Sequence, residues 1–265
     1  MTTNPLLQRA TALKLYGIIA HWDQISTADW LGPLITWEET ERSRRSLERR
    51  LLSSRIKNFK PLAHFDWNWP RQCNREAIEE FMQVEFLSKA TNLIFCGPNG
   101  VGKSMIAKNI CHQAILHGHT ALFITASEML KDLASLDGDN ALRRHTKYYV
   151  HPDLLCIDEV GYLSYSNRCA DLLFDIISQR YQTKSIIVTT NKQFTAWGEI
   201  FANASCVVSI IDRLVHNSEI ISIDADSYRL KESQEQDIQR QESRKKRTDK
   251  SNNKTTENKS NNDQN

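Results

Sequence analysis

Apolar residues recur with the period of an α-helix in the first quarter of the chain, with polar residues between them. Two apolar sets follow this spacing: Leu6, Leu7, Ala10, Leu13, Tyr16 and Gly17, then Trp30, Leu34 and Trp37. From Thr36 to Lys60 a third set lies beneath a row of arginines, and it consists of Leu47, Leu51, Leu52 and Ile56. The third set predicts one long basic helix. We therefore expect a small all-helical domain over residues 1–68, closed by this helix.

Beyond residue 90 the pattern changes to short apolar runs that alternate with helical stretches. The predicted strands are NLIFC, TALFIT, LLCID, SIIVTT and IISI. Helices are expected to begin at Lys103, Ser127 and about Arg168, with Ser127 and Asn167 as capping residues. Alternation of strands and helices is typical of a parallel sheet with crossover helices. A nucleotide-binding α/β domain is therefore predicted over residues 69–230, after a linker that contains Pro70.

The end of the chain is almost free of apolar residues. From Lys231 onward it is rich in Lys, Asn, Gln, Ser, Glu and Thr, and it contains the basic run RKKR at Arg244–Arg247. Such a composition buries too little surface to offset the entropy lost on ordering. We predict a disordered polar tail over residues 231–265, whose basic run could add weak electrostatic affinity for DNA.

Composition narrows the class of protein further. Hydrophobic residues make up 40% and charged residues 25% of the 265 positions, as in ordinary soluble proteins. There is no apolar run of about 20 residues, which a membrane span needs, and no secretory leader, so a cytoplasmic protein without membrane contact is expected. The six cysteines are scattered singly, which favours neither a zinc site nor disulfides. The net charge of +2 conceals local basic clusters, which matter for binding nucleic acid.

The segment GPNGVGKS matches the phosphate-binding P-loop, with a predicted strand before it and a helix after it. Its residues are the predicted nucleotide ligands: Gly97, Pro98, Asn99, Gly100, Val101, Gly102, Lys103 and Ser104. Glycines let backbone N–H groups turn toward the phosphates at the positive end of the helix. Lys103 is expected to reach the β- and γ-phosphates, and Ser104 to ligate Mg²⁺. ATP and Mg²⁺ are the expected cofactors.

Two adjacent carboxylates end the predicted strand LLCID. Because side chains alternate along a strand, Asp158 and Glu159 should point in different directions. After a P-loop, Asp158 is expected to hold Mg²⁺ through water and Glu159 to polarise the water that attacks the γ-phosphate. An N-cap pair is the structural alternative. A glutamate beside the aspartate favours hydrolysis over transfer of the phosphoryl group to a small acceptor.

Two later polar residues are candidates for roles in hydrolysis. Asn191 ends the strand SIIVTT, where it could orient the attacking water if that strand lies beside the P-loop strand, or simply form a turn. Arg213, in VSIIDRLVH, could be an arginine finger supplied to a neighbouring subunit, or an intrahelical ion pair.

The order of the motifs behind the P-loop resembles that of one family. The motifs are IDEVGYL, LLFDIISQRY, VTTN, WGEIF, DRLVH and SYRLKE. This series closely resembles the IstB-like AAA+ ATPases encoded beside the transposase in certain bacterial insertion sequences, which are relatives of the DnaC helicase loaders. The resemblance covers Leu6 to about Glu232.

The resemblance implies a fold and a set of site residues. It implies a small helical domain followed by an AAA+ module with a five-stranded parallel sheet of order 5-1-4-3-2. Asp158 and Glu159 match the Walker B motif, Asn191 matches sensor 1, and Arg213 matches the finger that acts in trans. Arg229, in SYRL, could sense the bound nucleotide.

The resemblance also implies contacts with DNA. An additional helix of this clade faces DNA and corresponds here to NALRRHTKYY, which makes Arg143, Arg144 and Lys147 candidate phosphate contacts. A solvated helix face is the alternative. Arg45 and Arg49, on the long basic helix, could bind DNA or an acidic partner, or could simply be solvated. Two aromatic residues near the domain junction, Trp67 and Trp69, could stack near the adenine or pack the junction.

The expected function is that of an ATP-dependent transposition helper. Such a protein forms a homo-oligomer on duplex target DNA, recruits or stimulates its partner transposase, and hydrolyses ATP across subunit interfaces. The main alternative is a replicative helicase loader, which shares the whole module. A nucleoside or small-molecule kinase is a second alternative, and Glu159 argues against it.

Overall fold

A computed structural model of the chain describes residues 4–136, 138–162, 165–201, 204–237 and 240. The helical N-terminal region contains α1 (Pro5–Ala12), α2 (Tyr16–Ala20), α3 (Trp22–Ile25) and the long helix α4 (Leu31–Ser53). α1 begins with a proline in its first turn and with the Asn4 side chain accepting a hydrogen bond from the Leu6 N–H at 3.0 Å. Both features favour a helix start.

The long helix α4 differs from its predicted position and packing. It begins five residues before Thr36 and ends seven residues before Lys60, since its bounds are Leu31–Ser53. Its core contacts are Leu31 and Ile35, which pack on Ala10 of α1. The predicted second apolar set is offset from this face, and Trp30 and Trp37 are 52% and 69% exposed.

The end of α4 is determined by a contact that is distant in sequence. Buried Ser54 accepts a hydrogen bond on its carbonyl oxygen from the Phe123 N–H at 2.8 Å, and Arg55 then adopts a left-handed φ of 57°. A left-handed residue after the last turn ends a helix. Leu47 and Leu51 pack against the core of the α/β domain, whereas Leu52 is 84% exposed. The second half of α4 therefore docks on the α/β domain and does not merely close the helical one.

A five-stranded parallel sheet forms the centre of the α/β domain. Its strands are β1 (Asn92–Cys96), β2 (Ala121–Thr125), β3 (Leu154–Val160), β4 (Ser185–Thr190) and β5 (Ser218–Ser222). Their order is β2-β3-β4-β1-β5, which confirms the predicted order 5-1-4-3-2. Every neighbouring pair is parallel, with Cys96 opposite Thr190 and Thr125 opposite Asp158. The carboxyl ends of these four strands therefore share one edge.

Helices cover both faces of the sheet. They are α5 (Arg75–Phe81), α6 (Lys103–Leu116), α7 (Ala126–Ala134), α8 (Asp139–Val150), α9 (Asn167–Arg180), α10 (Trp197–Ile200) and α11 (Ala204–Val215). One core lies between the sheet and α7, α9, α10 and α11, and the other lies between the sheet, α5 and α6. Burial of both faces explains why the centres of β1–β4 are continuously apolar, whereas β5, at one edge of the sheet, is largely exposed.

The predicted start of α6 at Lys103 is confirmed, and the two predicted capping residues are wrong. α7 is capped by Thr125, whose side chain and that of Glu128 form a reciprocal capping box. α9 is capped by Ser166, whose hydroxyl accepts from the Cys169 N–H at 3.4 Å. An N-cap needs an extended backbone, which Thr125 and Ser166 have. Ser127 and Asn167 already lie inside the helices.

The predicted tail begins inside a helix. Residues 228–237 are helical, and Lys231 and Glu232 lie 3.4 Å from Asp66 and Lys60, respectively. These contacts with the linker give the first residues of the segment an ordered position. The basic run Arg244–Arg247 lies outside the described residues. No helix in the described ranges has the length and apolar character needed to cross a membrane.

A buried arginine joins α9 to the strand starts. Arg180 is fully buried, and its guanidinium donates hydrogen bonds to five carbonyl oxygens, those of Tyr149, Val150, Pro152, Asp153 and Ser185. Burial lowers the pKa of Arg180. The side chain fixes the end of α8 and the starts of β3 and β4 relative to one another.

We expect Arg180→Met to lower the free energy of unfolding by on the order of 3–5 kcal/mol, because buried carbonyl groups lose their donor. Urea unfolding measures this loss. The control is Arg45→Met, which removes an exposed pair with Glu41 and should change stability by less than about 0.5 kcal/mol. Equal effects of the two substitutions would contradict the anchoring role of Arg180.

Candidate nucleotide-binding site

The P-loop connects β1 to α6 and is packed tightly on both sides. Gly100 and Gly102 have left-handed φ angles of 81° and 99°. A Cβ atom at Gly100 would lie 2.3 Å from Ser227 Oγ, and one at Gly102 would lie 2.4 Å from the Phe65 ring. Both the backbone conformation and the close approach therefore require glycine at these two positions.

Lys103, the first residue of α6, folds back over the loop. Its Nζ donates hydrogen bonds to the carbonyl oxygens of Gly97 at 2.7 Å and Pro98 at 2.6 Å. Burial lowers the pKa of Lys103, and the nearby Asp158 carboxylate opposes this shift. The ammonium group thus lies at the N-terminus of α6, where the helix dipole also favours anions.

Asp158 is buried at the end of β3 and accepts two hydroxyl hydrogen bonds on one oxygen. Ser104 Oγ donates to Asp158 Oδ1 at 2.9 Å, and Thr189 Oγ1 makes a short hydrogen bond to the same oxygen. Thr189 also accepts from the Glu159 N–H at 2.9 Å. We did not predict a role for Thr189; its hydroxyl group directly after the apolar centre of β4, Ile186–Val188, is the available signal.

Glu159 differs from Asp158 in exposure and backbone. It is exposed, between buried Asp158 and Val160. Its φ is 60°, and the pairing of β3 with β4 is irregular between Ile157 and Val160. A bulge re-aims a side chain. Here it gives Glu159 a place in the wall of the cleft beside the P-loop.

Asn191 follows β4, which lies between β1 and β3 as its predicted role requires. Its side chain lines the same cleft as Glu159. The Asn191 Oδ1 atom is buried and has no hydrogen-bond partner among the described residues. A buried amide oxygen of this kind is costly unless it has a function or a ligand.

The cleft has a volume of about 280 Å³ and extends well beyond the P-loop. The linker and the C-terminal segment supply further wall residues that the sequence did not predict: Lys60, His64, Phe65, Asp66, Tyr228 and Glu232. Arg229, the candidate sensor, also lines the cleft. Of the two tryptophans, Trp69 lines the cleft, whereas Trp67 packs on Phe65 with ring centroids 4.7 Å apart.

Arg213 lies apart from the other predicted catalytic residues. It is on α11, and its guanidinium lies 4.6 Å from the centroid of the Phe174 ring. Its Nη1 donates to the Ser209 carbonyl at 3.2 Å. It is absent from the described cleft wall, and no described carboxylate forms the alternative intrahelical ion pair with it.

The two candidate DNA-binding helices differ in how their charges are neutralised. On α8, Arg143, Arg144 and Lys147 are exposed and have no ion-pair partner among the described residues. On α4, Arg45 pairs with Glu41 at 2.6 Å, and other arginines of that helix pair with glutamates as well. Arg49 is exposed, without a carboxylate partner in the described part of the chain. The positive charge of α8 is therefore more available to an anionic partner.

The chain matches one protein family and is similar to ATP-binding proteins of insertion sequences. The family described as IstB-like ATP binding protein matches residues 5–236. The ATP-binding protein of insertion sequence IS5376 from Geobacillus stearothermophilus is 33% identical over 86% of this chain and 89% of its own length. That of IS21 from Pseudomonas aeruginosa is 32% identical, with 79% of each chain covered.

Solved structures share the fold of the α/β domain. DnaI has a TM-score of 0.53 and 18% identity over 62% of this chain and 90% of its own. The replication initiator DnaA bound to AMPPCP and single-stranded DNA has a TM-score of 0.50 and 18% identity over 62% and 52% of the two chains. The predicted family and AAA+ fold are confirmed, and together they support ATP binding and ATPase activity.

We expect Gly100→Ala to weaken binding of a fluorescent ATP analogue by at least about tenfold, because a Cβ atom there forces the loop away from Ser227. Gly118→Ala is a matched control: Gly118 has a φ of 96°, but nothing lies within 4 Å of its added Cβ. Both variants carry backbone strain, and only Gly100→Ala should lose affinity in a fluorescence titration. Equal affinities would show that close packing of the loop is unimportant.

Proposed function

Because this chain belongs to the IstB-like ATP-binding protein family, we propose that it is an ATP-dependent transposition helper that assembles on duplex DNA and engages its element's transposase. The observation that carries this proposal is the combination, in one domain, of a P-loop cleft and an exposed basic helix, α8. The relatives' place in insertion sequences supports transposition as the process. A cytoplasmic location, expected from the sequence, fits this role.

The P-loop holds the phosphates of ATP in this proposal. Backbone N–H groups and Lys103 bind the phosphate oxygens at the N-terminus of α6. Ser104 Oγ and Asp158 Oδ1, which lie 2.9 Å apart, are the oxygen donors that suit Mg²⁺. The metal ion would supply neutralisation of charge on the β- and γ-phosphates.

Glu159 and Asn191 act on the attacking water. The Glu159 carboxylate is exposed to the cleft, where it can accept a proton, and its position is held through the backbone by Thr189. The unpartnered Asn191 Oδ1 atom can orient the same water. Arg229, which also lines the cleft, contacts the bound phosphates.

Arg213 acts in the cleft of a neighbouring subunit. Since it is not part of its own chain's described cleft wall, it can contribute to hydrolysis only from a second copy. This arrangement requires a homo-oligomer. Because each active site then contains parts of two subunits, assembly and hydrolysis are coupled.

Duplex DNA binds mainly through α8. Arg143, Arg144 and Lys147 contact phosphates, so this binding depends on salt and not on base sequence. Arg45 and Arg49 make a smaller contribution, because α4 carries compensating glutamates. A helicase loader with the same module remains the second candidate, since the fold is similar to that of DnaI. A hexameric helicase would replace the transposase as its partner.

For Glu159→Gln we expect ATP affinity to be retained and hydrolysis to fall by about 10²-fold or more, because the base is lost and the phosphate ligands are not. Phosphate release and titration with the fluorescent analogue measure the two quantities. Glu80→Gln, an exposed glutamate on α5, is the control and should hydrolyse ATP normally. Unchanged hydrolysis in Glu159→Gln would remove Glu159 from the mechanism.

The test of DNA assembly uses long duplex DNA, ATP and a series of salt concentrations. We expect ATP-dependent oligomers on the DNA, visible by electron microscopy. Replacing Arg143, Arg144 and Lys147 by Gln should weaken binding and flatten its salt dependence by about 0.9 in log–log slope for each phosphate that the variant no longer neutralises. The same change at Arg45 and Arg49 should have a smaller effect. A wild-type protein that stays monomeric with DNA, yet binds a replicative helicase, would support the loader instead.

A further inference from the structure

Two segments far apart in sequence contact the P-loop. One is the linker, residues 60–71, and the other is the C-terminal segment, residues 223–237. In the linker, the Phe65 ring occupies the space beside Gly102. In the C-terminal segment, Ser227 occupies the space beside Gly100, and the Tyr228 N–H donates to the Gly100 carbonyl at 3.1 Å.

One lysine of the C-terminal segment contacts residues of both segments. Lys231 Nζ lies 3.4 Å from Asp66 Oδ2 and 4.3 Å from the centroid of the Trp69 ring, both in the linker. The same atom lies 5.1 Å from the centroid of the Tyr228 ring in its own segment. Its side chain is only 28% exposed, so the charge is partly shielded from water. Cation–π attraction is stronger under such shielding than at an open surface.

Other contacts also join the linker to the C-terminal segment. Trp69 Nε1 donates to the Asp226 carbonyl at 2.9 Å, and its ring meets Tyr228 edge-on with centroids 5.9 Å apart. Arg71 pairs with the Asp226 carboxylate at 2.6 Å. The Arg71 pair is more exposed than Lys231, so solvent screens it more strongly.

The part of the cleft near Lys231 is separate from the part that holds the phosphates. Because the triphosphate lies at the N-terminus of α6, the ribose and base must extend into the remaining space. Phe65, Trp69 and Tyr228 line that space, and aromatic rings offer a nucleobase an apolar surface. Lys231 is not in the described cleft wall, so it acts on the nucleotide only through the residues it holds.

We propose that Lys231 is a positioning residue that latches the linker to the C-terminal segment and thereby closes the base-and-ribose part of the nucleotide cleft. The Lys231–Asp66 pair and the two aromatic contacts hold Trp69 and Tyr228 in place. This inference rests on ATP occupying the cleft and not on the role in transposition.

The test compares two ligands in the full-length protein without DNA. Mant-ATP probes the whole cleft, whereas tripolyphosphate, measured by competition, probes the P-loop alone. Lys231→Met removes the charge and keeps a long, unbranched side chain. We expect it to bind mant-ATP about three- to tenfold more weakly and tripolyphosphate as the wild type does. Lys231→Arg, which keeps the cation, should bind mant-ATP nearly normally.

Two further variants make the test specific. Lys89→Met removes an exposed lysine that is not in the described cleft wall, and its affinities should equal those of the wild type. Asp66→Asn should weaken mant-ATP binding, and adding it to Lys231→Met should cause less than the sum of the two losses, because both remove one interaction.

Three results would overturn the latch. They are unchanged mant-ATP affinity in Lys231→Met, a parallel loss of affinity for both ligands, and full additivity with Asp66→Asn. The proposed function is tested separately, since failure to assemble on DNA leaves the nucleotide affinities of these variants unaffected.

Discussion

The buried carboxylate of Asp158 connects the three parts of the chain on which the site depends. One of its oxygens accepts hydrogen bonds from Ser104 at the start of α6 and from Thr189 near the end of β4, while Asp158 itself lies near the end of β3. Burying a carboxylate is costly unless donors satisfy it. The hydroxyl groups of Ser104 and Thr189 are these donors. Both reach the carboxylate only when β4 lies between β1 and β3. The strand order therefore creates the site and is not merely a scaffold for it.

Segments outside the sheet also form the nucleotide cleft. The P-loop glycines are enclosed by Phe65 and Ser227, which come from before and after the strands, and Lys231 joins these two segments. The P-loop itself is a local sequence feature, whereas its packing and the opposite end of the cleft depend on contacts between distant segments.

The features predictable from sequence are those that local pattern determines. The apolar runs located all five strands, and the P-loop spacing located the start of α6, because each depends on residues within a few positions. The strand order came from family resemblance, which also favoured the trans role of Arg213 over the intrahelical ion pair that the residues alone left open. The end of α4 could not be predicted, since it depends on the bond between Ser54 and Phe123. The same holds for Thr189 and Lys231, whose partners lie 31 and 165 positions away.

The central claim is that each functional ATPase site combines Glu159 of one subunit with Arg213 of the next. Mixing two inactive variants, Glu159→Gln and Arg213→Ala, on duplex DNA tests it most directly by the rate of phosphate release. Random equimolar assembly gives about one interface in four with both intact residues, so we predict that hydrolysis reappears in the mixture although neither variant is active alone. A mixture as inactive as its components, or an Arg213→Ala variant that is fully active by itself, would contradict the account.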